Sequence, residues 1–328
     1  MTLKVTDTIS VLSWRRRKGV GVYMFESLLA TLVRTNLGWQ GIPVQGPNMP
    51  VTRVGAPATL LNGKVYIAGG GTQGGTNGVS TSTLMTYDLA TGVYDQNFST
   101  VPSSVYFSGI VNDGTYLYHL GGATFPGNAV NSTFVRIDPL TKEKLVLKSP
   151  PVARYDFHMF YESGFIYTYG GTPSNDVLMK YNIATDTWET VTQPTLRPPA
   201  RTSSASVYLN GKFYLIGGVS NRNDFWEYTL STNTWVQLSN FPITTWVGSG
   251  FTMDGRIFLM PGAPLINNNA NKNIYEYLPD ENKWVLFKNI ANIVFNSSIV
   301  SDGKRLYCFG GSGNSSVNAA SNAMYYLK

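Results

Sequence analysis

A two-residue pair typical of tight turns recurs six times along the chain, about once every 50 residues. Apolar runs flank every copy: Asn62-Gly63, Asp113-Gly114, Ser163-Gly164, Asn210-Gly211, Asp254-Gly255 and Asp302-Gly303. Such pairs supply the positive φ angles of type I′ turns, so each copy predicts a tight antiparallel hairpin. Six copies of one unit in 328 residues indicate a repeat architecture.

Two further features repeat with the turns. A double glycine follows each turn, and an aromatic residue stands three positions before it: Gly69-Gly70, Gly121-Gly122, Gly170-Gly171, Gly217-Gly218 and Gly310-Gly311, with Pro261-Gly262 as the degenerate copy. Aromatic pairs seven residues apart come next: Tyr87 and Tyr94, Tyr181 and Trp188, Tyr228 and Trp235, Tyr277 and Trp284, with Ile137 and Lys144 in the second copy. Short turns lie between these partners, so each repeat predicts four antiparallel strands.

This pattern resembles the kelch repeat, which forms one blade of a β-propeller. The resemblance covers about 290 residues and all six copies. It implies an all-β, six-bladed β-propeller of four-stranded antiparallel blades over residues 38–328, preceded by an extension at residues 1–37. The last copy ends at Lys328 without an outer strand. Because Trp39-Gln-Gly-Ile42 matches Trp188-Glu-Thr-Val191, residues 39–44 are expected to supply that strand and close the ring.

Antiparallel strands a to d, counted outward, place the a–b and c–d turns on one face and the b–c and d–a connections on the other, here called the loop face. Four long b–c loops are predicted, at 70–83, 122–133, 262–273 and 311–323. Their amide and hydroxyl groups, Asn268 and Asn314 among them, suit binding of a protein partner or of sugar hydroxyls. Mobile polar loops without a ligand are the alternative.

Arginine occupies one position in three repeats. Counting nine residues back from each turn gives Arg53, Arg154 and Arg201, with Ser104, Thr245 and Ile293 in the other copies. The resemblance implies that these side chains lie at the mouth of the central channel and grip acidic ligands, a task that suits the planar guanidinium. Bonding to loop carbonyls or to a neighbouring acid is the structural alternative.

Asp156 and His158 follow Arg154 closely. Residues two apart on a strand share a face, so the pair could perform acid–base chemistry. Similarity to kelch propellers that act as sialic acid mutarotases makes a sugar-acid isomerase the alternative function, with the arginines holding the sugar carboxylate. A histidine satisfied by hydrogen bonds where strand a begins is the simpler interpretation, and His119 is interpreted as a packed core residue.

The remaining inventory argues against other chemistry. One cysteine, Cys308, excludes a Cys-based zinc site. A copper-radical oxidase needs two histidines, tyrosines and a cysteine at one site, but His119 and His158 fall at different strand positions and Cys308 in another blade, so no metal or cofactor is predicted. Most of the net charge of +6 lies in residues 1–37, so nucleic acid binding by the propeller is disfavoured. No stretch has the length of a membrane span or the pattern of a signal peptide, which points to a cytoplasmic or virion location.

The extension at 1–37 belongs to no repeat. Apolar residues recur at helical spacing over about 24–34, and Phe25, Leu28, Leu29 and Leu32 form one stripe of a predicted helix. A basic run precedes it: Trp14, Arg15, Arg16 and Arg17. A helix this short is marginal alone, so we expect it to dock on a partner or on the propeller itself.

The sequence therefore predicts a non-enzymatic propeller that docks other proteins in a larger assembly, through the extension, the b–c loops or both. Charged residues make up 13% of the chain, about half the usual share of ~25%, and its loops are rich in Asn, Ser, Thr and Gly. That composition favours a phage or viral structural component as the specific hypothesis. The alternative is the sugar-acid isomerase, or a glycan-binding module, at the channel mouth.

Overall fold

The computed structural model describes residues 40–72, 78–173, 175–220, 222–262, 272–290, 296–312 and 321–328. Within it, Gly41–Lys328 forms one compact unit. Its strands assemble into six antiparallel four-stranded sheets, each with consecutive strands side by side except the last. The predicted six-bladed propeller is confirmed.

The blades are numbered in chain order, and each runs from the innermost strand a to the outermost strand d. Blades 1 to 3 comprise β2 (Ala58–Leu61), β3 (Lys64–Ala68), β4 (Thr81–Asp88), β5 (Tyr94–Val105); β6 (Gly109–Asn112), β7 (Leu117–Leu120), β8 (Phe134–Ile137), β9 (Lys144–Leu147); and β10 (His158–Glu162), β11 (Phe165–Tyr169), β12 (Leu178–Asn182), β13 (Thr187–Thr190). Blades 4 to 6 comprise β14 (Ala205–Leu209), β15 (Lys212–Ile216), β16 (Phe225–Thr229), β17 (Thr234–Leu238); β18 (Ser249–Met253), β19 (Arg256–Met260), β20 (Asn273–Leu278), β21 (Lys283–Asn289); and β22 (Ser298–Ser301), β23 (Leu306–Phe309), β24 (Met324–Leu327) with β1 (Pro43–Gln45). A single 3-10 turn, Pro279–Glu281, precedes β21 within the described residues.

The ring is closed by the N-terminal strand, as predicted. β1 pairs antiparallel with β24, with Val44 opposite Tyr326. Backbone bonds extend this pairing from Ile42, which exchanges N–H···O bonds with Lys328, to Gly46, whose N–H donates to the Met324 carbonyl. The closing segment thus spans 42–46, a few residues beyond the predicted 39–44.

The aromatic pairs seven residues apart stand directly opposite one another on strands c and d. The paired residues are Tyr87 and Tyr94, Ile137 and Lys144, Tyr181 and Trp188, Tyr228 and Trp235, and Tyr277 and Trp284. Their spacing is therefore the register of the outer hairpin. The tyrosine hydroxyl also fixes the turn, for Tyr181 donates to Asp186 at 2.8 Å and Tyr228 to Asn233 at 2.8 Å.

The a–b turns correct one expectation. Four copies are type I′ turns with positive φ at both central residues, as in Asn62 (50°) and Gly63 (74°). In blades 2 and 6 the two central residues are Gly114-Thr115 and Gly303-Lys304, one position later than predicted, because the Asp113 N–H donates to the Tyr116 carbonyl and the Asp302 N–H to the Arg305 carbonyl. There the aspartate precedes the turn, and its side chain accepts the N–H groups two and three residues later.

Buried apolar residues gather between neighbouring blades. One cluster joins Leu84 of blade 1 to Leu117 of blade 2, and another joins Phe134 of blade 2 to Ile166 of blade 3. Equivalent clusters join blades 3 and 4, 4 and 5, and 6 and 1. Blades 1 to 4 therefore bury both faces of their sheets against neighbouring blades, which explains why their inner strands are apolar on both sides.

The double glycine ties each blade to the next. Its second residue donates a backbone N–H to a carbonyl just ahead of the following strand a: Gly70 to Val105, Gly122 to Arg154, Gly171 to Arg201, Gly218 to Thr245 and Gly311 to Arg53. A Cβ on Gly122, whose φ is +94°, would lie 2.8 Å from the Ser108 Cβ. Close approach and backbone conformation both require glycine here.

Candidate binding site at the channel mouth

On the loop face, every blade contributes one residue with positive φ shortly before its strand a. These rim residues are Gly55 (59°), Phe107 (49°), Asp156 (56°), Ser203 (52°), Val247 (49°) and Asn296 (53°). Backbone bonds link neighbours around the mouth: Phe107 N–H to Gly55 O at 2.7 Å, Asp156 to Phe107 at 2.8 Å, Val247 to Ser203 at 2.8 Å and Gly55 to Asn296 at 3.2 Å. Left-handed conformations are costly for Phe and Val, and the bonds between blades hold them in place.

The rim residues surround a cavity of about 170 Å³ at the channel mouth. The residues that follow them complete its wall: Ala56, Ser108, Phe157, Ser204, Gly248 and Ser297. A second cavity of about 300 Å³ lies further along strand a and is lined in part by His158, Ser206 and Ser249. Small side chains and hydroxyl groups therefore form most of the inner surface.

Arg201 does not open into the mouth. Its side chain is fully buried, and its guanidinium pairs with both carboxylate oxygens of Asp224 at 2.6 and 3.0 Å. It also donates to the carbonyls of Gly217 and Pro199 at 2.9 and 3.1 Å. The pKa of Asp224 is lowered, since the attraction of Arg201 and its hydrogen bonds outweigh the effect of burial.

Arg154 and Arg53 are buried in the same position without an acid. Arg154 is 1% exposed and donates to the carbonyls of Gly170 and Val177 at 3.1 and 3.2 Å. Its Nε and Nη2 atoms have no hydrogen-bond partner within the described part of the chain. Arg53 donates to Thr83 Oγ1 at 2.6 Å, and burial lowers the pKa of both arginines to about 10. The three arginines thus anchor the b–c loops, and this geometry gives no support to ligand gripping.

The structure also corrects the position that the arginines share. Because the turn in blade 2 is centred one residue later than predicted, counting back from Asp113 gives a residue one position too early. Val105, rather than Ser104, accepts the N–H of the preceding double glycine and so occupies the position of Arg154. Thr245 does the same in blade 5, and Ile293 lies outside the described residues.

Asp156 is the rim residue of blade 3, and its carboxylate faces the mouth. Ser203 of blade 4 donates both its hydroxyl and its backbone N–H to this carboxylate. Burial raises the pKa of Asp156 to about 6, and the Ser203 bonds only partly oppose that shift. Between blades 3 and 4, therefore, a side chain links the two rim residues.

His158 does not pair with Asp156. Its Nε2 lies 2.7 Å from Ser204 Oγ, whereas Asp156 bonds to Ser203. Burial and the nearby Arg201 charge lower the pKa of His158 to about 4, which keeps the ring neutral near pH 7. The expectation of a shared strand face is wrong, because Asp156 has φ +56° and strand a begins only at His158. His119 is 2% exposed and lies 2.9 Å from Ser108 Oγ, as expected for a core residue.

An aromatic cluster beside the mouth was missed in the sequence. Tyr106 is buried at its centre, with ring centroids 4.7 Å from Phe107, 5.8 Å from Phe125 and 6.3 Å from Tyr155. The three surrounding rings are partly exposed. Ser80 in the blade 1 loop accepts the Phe125 N–H through its hydroxyl, so the loops of blades 1 and 2 are joined. The sequence contains a pattern that could have indicated it: a tyrosine directly follows Val105 in blade 2 and the equivalent Arg154 in blade 3.

Several predicted residues cannot be placed. Asn268, Asn314 and the whole extension, including Trp14, Arg15, Arg16, Arg17, Phe25, Leu28, Leu29 and Leu32, lie outside the described residues. Across the described ranges, no group of three or more His, Cys, Asp or Glu residues could hold a metal ion. The same ranges contain no helix long and apolar enough to cross a membrane.

Comparison with known families agrees with the fold. The family model described as the KLHDC2/KLHL20/DRC7 Kelch-repeats domain matches residues 107–311, more than half of the chain. No curated protein matches significantly. A kelch propeller indicates a protein-interaction module. The six blades, their double glycines and this match together show that the chain belongs to the kelch-repeat propeller family.

Proposed function

We propose that this protein is a non-enzymatic interaction module that docks a partner protein on its loop face beside the channel mouth. The observation that carries the proposal is the aromatic cluster around Tyr106, which continues into exposed apolar loop residues. Val79 and Val130, in the b–c loops of blades 1 and 2, are 52% and 40% exposed. Partly exposed aromatic rings on a rigid scaffold are typical of the anchors of protein interfaces.

Charge supports this choice of surface. In the described rim segments and b–c loops of blades 1 to 3, Arg53 and Arg154 are buried and Asp176 pairs with Arg197 at 2.6 Å. Asp156 is the remaining charged residue of these segments. Depletion of charge at the centre is what distinguishes an interface core from ordinary surface.

Two matched substitutions test the surface. Val130→Asp places a charge beside the aromatic cluster, whereas Val146→Asp changes a more exposed valine on the outer strand β9. Each variant is used to purify partners from the native source, and partner recovery is quantified against the unmodified protein. We expect recovery to fall for Val130→Asp only. Equal recovery for both variants would remove the loop face of blades 1 and 2 from the proposal.

The role in a larger assembly, with a phage or viral particle as the specific case, rests on composition and on the extension. Uncharged loops and a basic, amphipathic segment at 1–37 support docking in trans. Deleting residues 1–37 and measuring incorporation into the native complex tests this part separately. Unchanged incorporation would show that the extension is not the anchor.

A glycan at the mouth is the second candidate, because hydroxyl groups line the cavity and partly exposed rings stand beside it. Turnover of a sugar acid is less well supported. All three arginines that would hold the sugar carboxylate are buried, and His158 is not paired with Asp156. Glycan-array binding that disappears in Phe107→Ala would favour this candidate over a protein partner.

A further inference from the structure

We propose that the channel mouth binds a cationic side chain of the partner protein, a lysine or an arginine, with the Asp156 carboxylate as its counter-ion. This inference rests on the proposed function, because it names the chemistry of the partner at the same face. The proposed ligand is therefore basic, whereas the arginines in the sequence predicted an acidic ligand.

The charges around the mouth carry the first step. Arg201 is neutralised by Asp224 at 2.6 Å, and Arg53 and Arg154 are no more than 3% exposed. Of the side chains that line the 170 Å³ cavity, Asp156 is the one that ionises near neutral pH. A half-buried carboxylate facing a cavity whose described lining residues include no cation favours a ligand that brings one.

The second step is that the carboxylate is held in place before a ligand arrives. The Asp156 N–H donates to the Phe107 carbonyl at 2.8 Å, and Ser203 bonds the side chain from the neighbouring blade. The left-handed backbone at Asp156 aims the side chain toward Ser203 instead of along strand a. An acceptor fixed at both backbone and side chain loses little conformational entropy on binding.

The cavity suits the tip of a long basic side chain. Its wall offers the hydroxyls of Ser204, Ser249 and Ser297, which can accept the remaining protons of an ammonium or guanidinium group. The ring of Phe107 lines the same cavity and provides a surface for a cation or for its methylene stem. The aromatic cluster alongside would cover the backbone of the segment that carries the side chain.

The pKa of Asp156 predicts how cation binding should change with pH. The groups around Asp156 are Tyr106 of blade 2, Ser203 of blade 4 and, one step deeper, His158 with Arg201 behind it. The pKa of Tyr106 is raised and that of His158 is lowered to about 4, so both stay neutral between pH 5 and 8. Because the pKa of Asp156 is about 6, roughly a tenth of the carboxylate is ionised at pH 5. Cation binding should therefore weaken about tenfold from pH 7.5 to pH 5.

The experiment uses n-butylammonium and methylguanidinium as probes, with 1-butanol as the neutral control, on the full chain. Amide chemical shifts of Phe107 and Ser203 are followed by NMR at pH 7.5 and pH 5. We expect saturable shifts with both cations, weaker at pH 5, and none with butanol. The shifts should vanish in Asp156→Asn and persist in Asp176→Asn, whose aspartate lies on the same face but pairs with Arg197. Equal response to butanol, or retention in Asp156→Asn, would overturn the proposal.

Two further variants keep the outcomes distinct. Ser203→Ala removes the same contact between blades 3 and 4 but leaves the carboxylate, so cation binding should persist in it if the Asp156 charge holds the cation. Loss of binding in both variants would show that Asp156→Asn acts by disturbing the fold of the mouth, and would overturn the proposal. If Val130→Asp leaves partner binding intact, the proposed function fails whatever the probes show. If Val130→Asp removes the partner but Asp156→Asn affects neither partner nor probes, the cation inference alone fails.

Discussion

Replacing Arg201 with methionine tests whether the arginine ahead of strand a is a structural anchor. The guanidinium makes four hydrogen bonds, two to Asp224 and two to backbone carbonyls, and its side chain is fully buried. Methionine has similar length without the charge, so Asp224 keeps Trp226 Nε1 at 2.6 Å as its remaining described partner. Breaking a buried pair from one side typically costs about 3–5 kcal/mol.

The structure contains a matched control for this change. Arg197 pairs with Asp176 at the same 2.6 Å, but both side chains are about one-third exposed. A pair this exposed contributes about 0–1 kcal/mol. Urea unfolding of Arg201→Met and Arg197→Met, each against the unmodified protein, should show that Arg201→Met loses about 2–5 kcal/mol more of the free energy of unfolding than Arg197→Met.

The pH dependence supplies a second check. Because Arg201 lowers the pKa of Asp224 in the folded state, the pair stabilises the protein above the unfolded pKa of about 4 and loses that effect as the pH falls below it. Arg201→Met should therefore lose stability mainly near neutral pH, and the gap should narrow at acid pH. An Arg201→Met variant within about 1 kcal/mol of the unmodified protein at pH 7 would refute the structural role.

Three other predictions follow from single contacts. Gly122→Ala should lower Tm by several degrees more than Gly114→Ala, since φ is +94° and +93° but only the Gly122 Cβ meets a neighbour, 2.8 Å away; equal shifts would contradict the steric argument. Asp156→Asn should become more stable than the unmodified protein as the pH rises from 4 to 7, by up to about 3 kcal/mol, because a folded pKa of about 6 penalises ionisation; parallel pH profiles in urea unfolding would count against this. Val44→Pro removes a ladder N–H from β1 and should destabilise the closed ring by about 1–3 kcal/mol, measured by calorimetry; no change would mean that β1 does not seal blade 6.

Much of the fold was predictable because the repeat fixes register. The spacing of Tyr181 and Trp188 is the spacing of two paired residues around a short turn, so the outer hairpin could be read directly. The shifted turn in blade 2 is also visible in the sequence, since Gly114 stands seven positions before Gly121 whereas Gly63 stands six positions before Gly69. Asp113 therefore does not correspond to Asn62, and nine residues back from it is Ser104 instead of the equivalent residue Val105.

The site was less predictable because it depends on side-chain direction just ahead of each strand a. Sequence spacing placed Arg154, Asp156 and His158 near the mouth, but alternation applies only within a strand. The positive φ of Asp156 rotates its side chain out of that alternation, so an apparent acid–base pair becomes two separate bonds to blade 4. The aromatic cluster needed tertiary structure, because Phe125 reaches Tyr106 only through the path of a b–c loop.

Comparison of blades 3 and 4 leads to a final prediction, that Val177→Asp stabilises the protein. Val177 precedes Leu178 as Asp224 precedes Phe225, and Arg154 donates to the Gly170 carbonyl as Arg201 does to that of Gly217. An aspartate at 177 would thus meet Nη2 of Arg154, which now has no described partner. A charge-assisted bond of this kind contributes about 1.5–3 kcal/mol, whereas an acid without a cation in a half-buried position costs stability. Urea unfolding should therefore show a gain for Val177→Asp in the native background and a loss in Arg154→Met; a loss in both would refute the equivalence of the Arg154 and Arg201 positions.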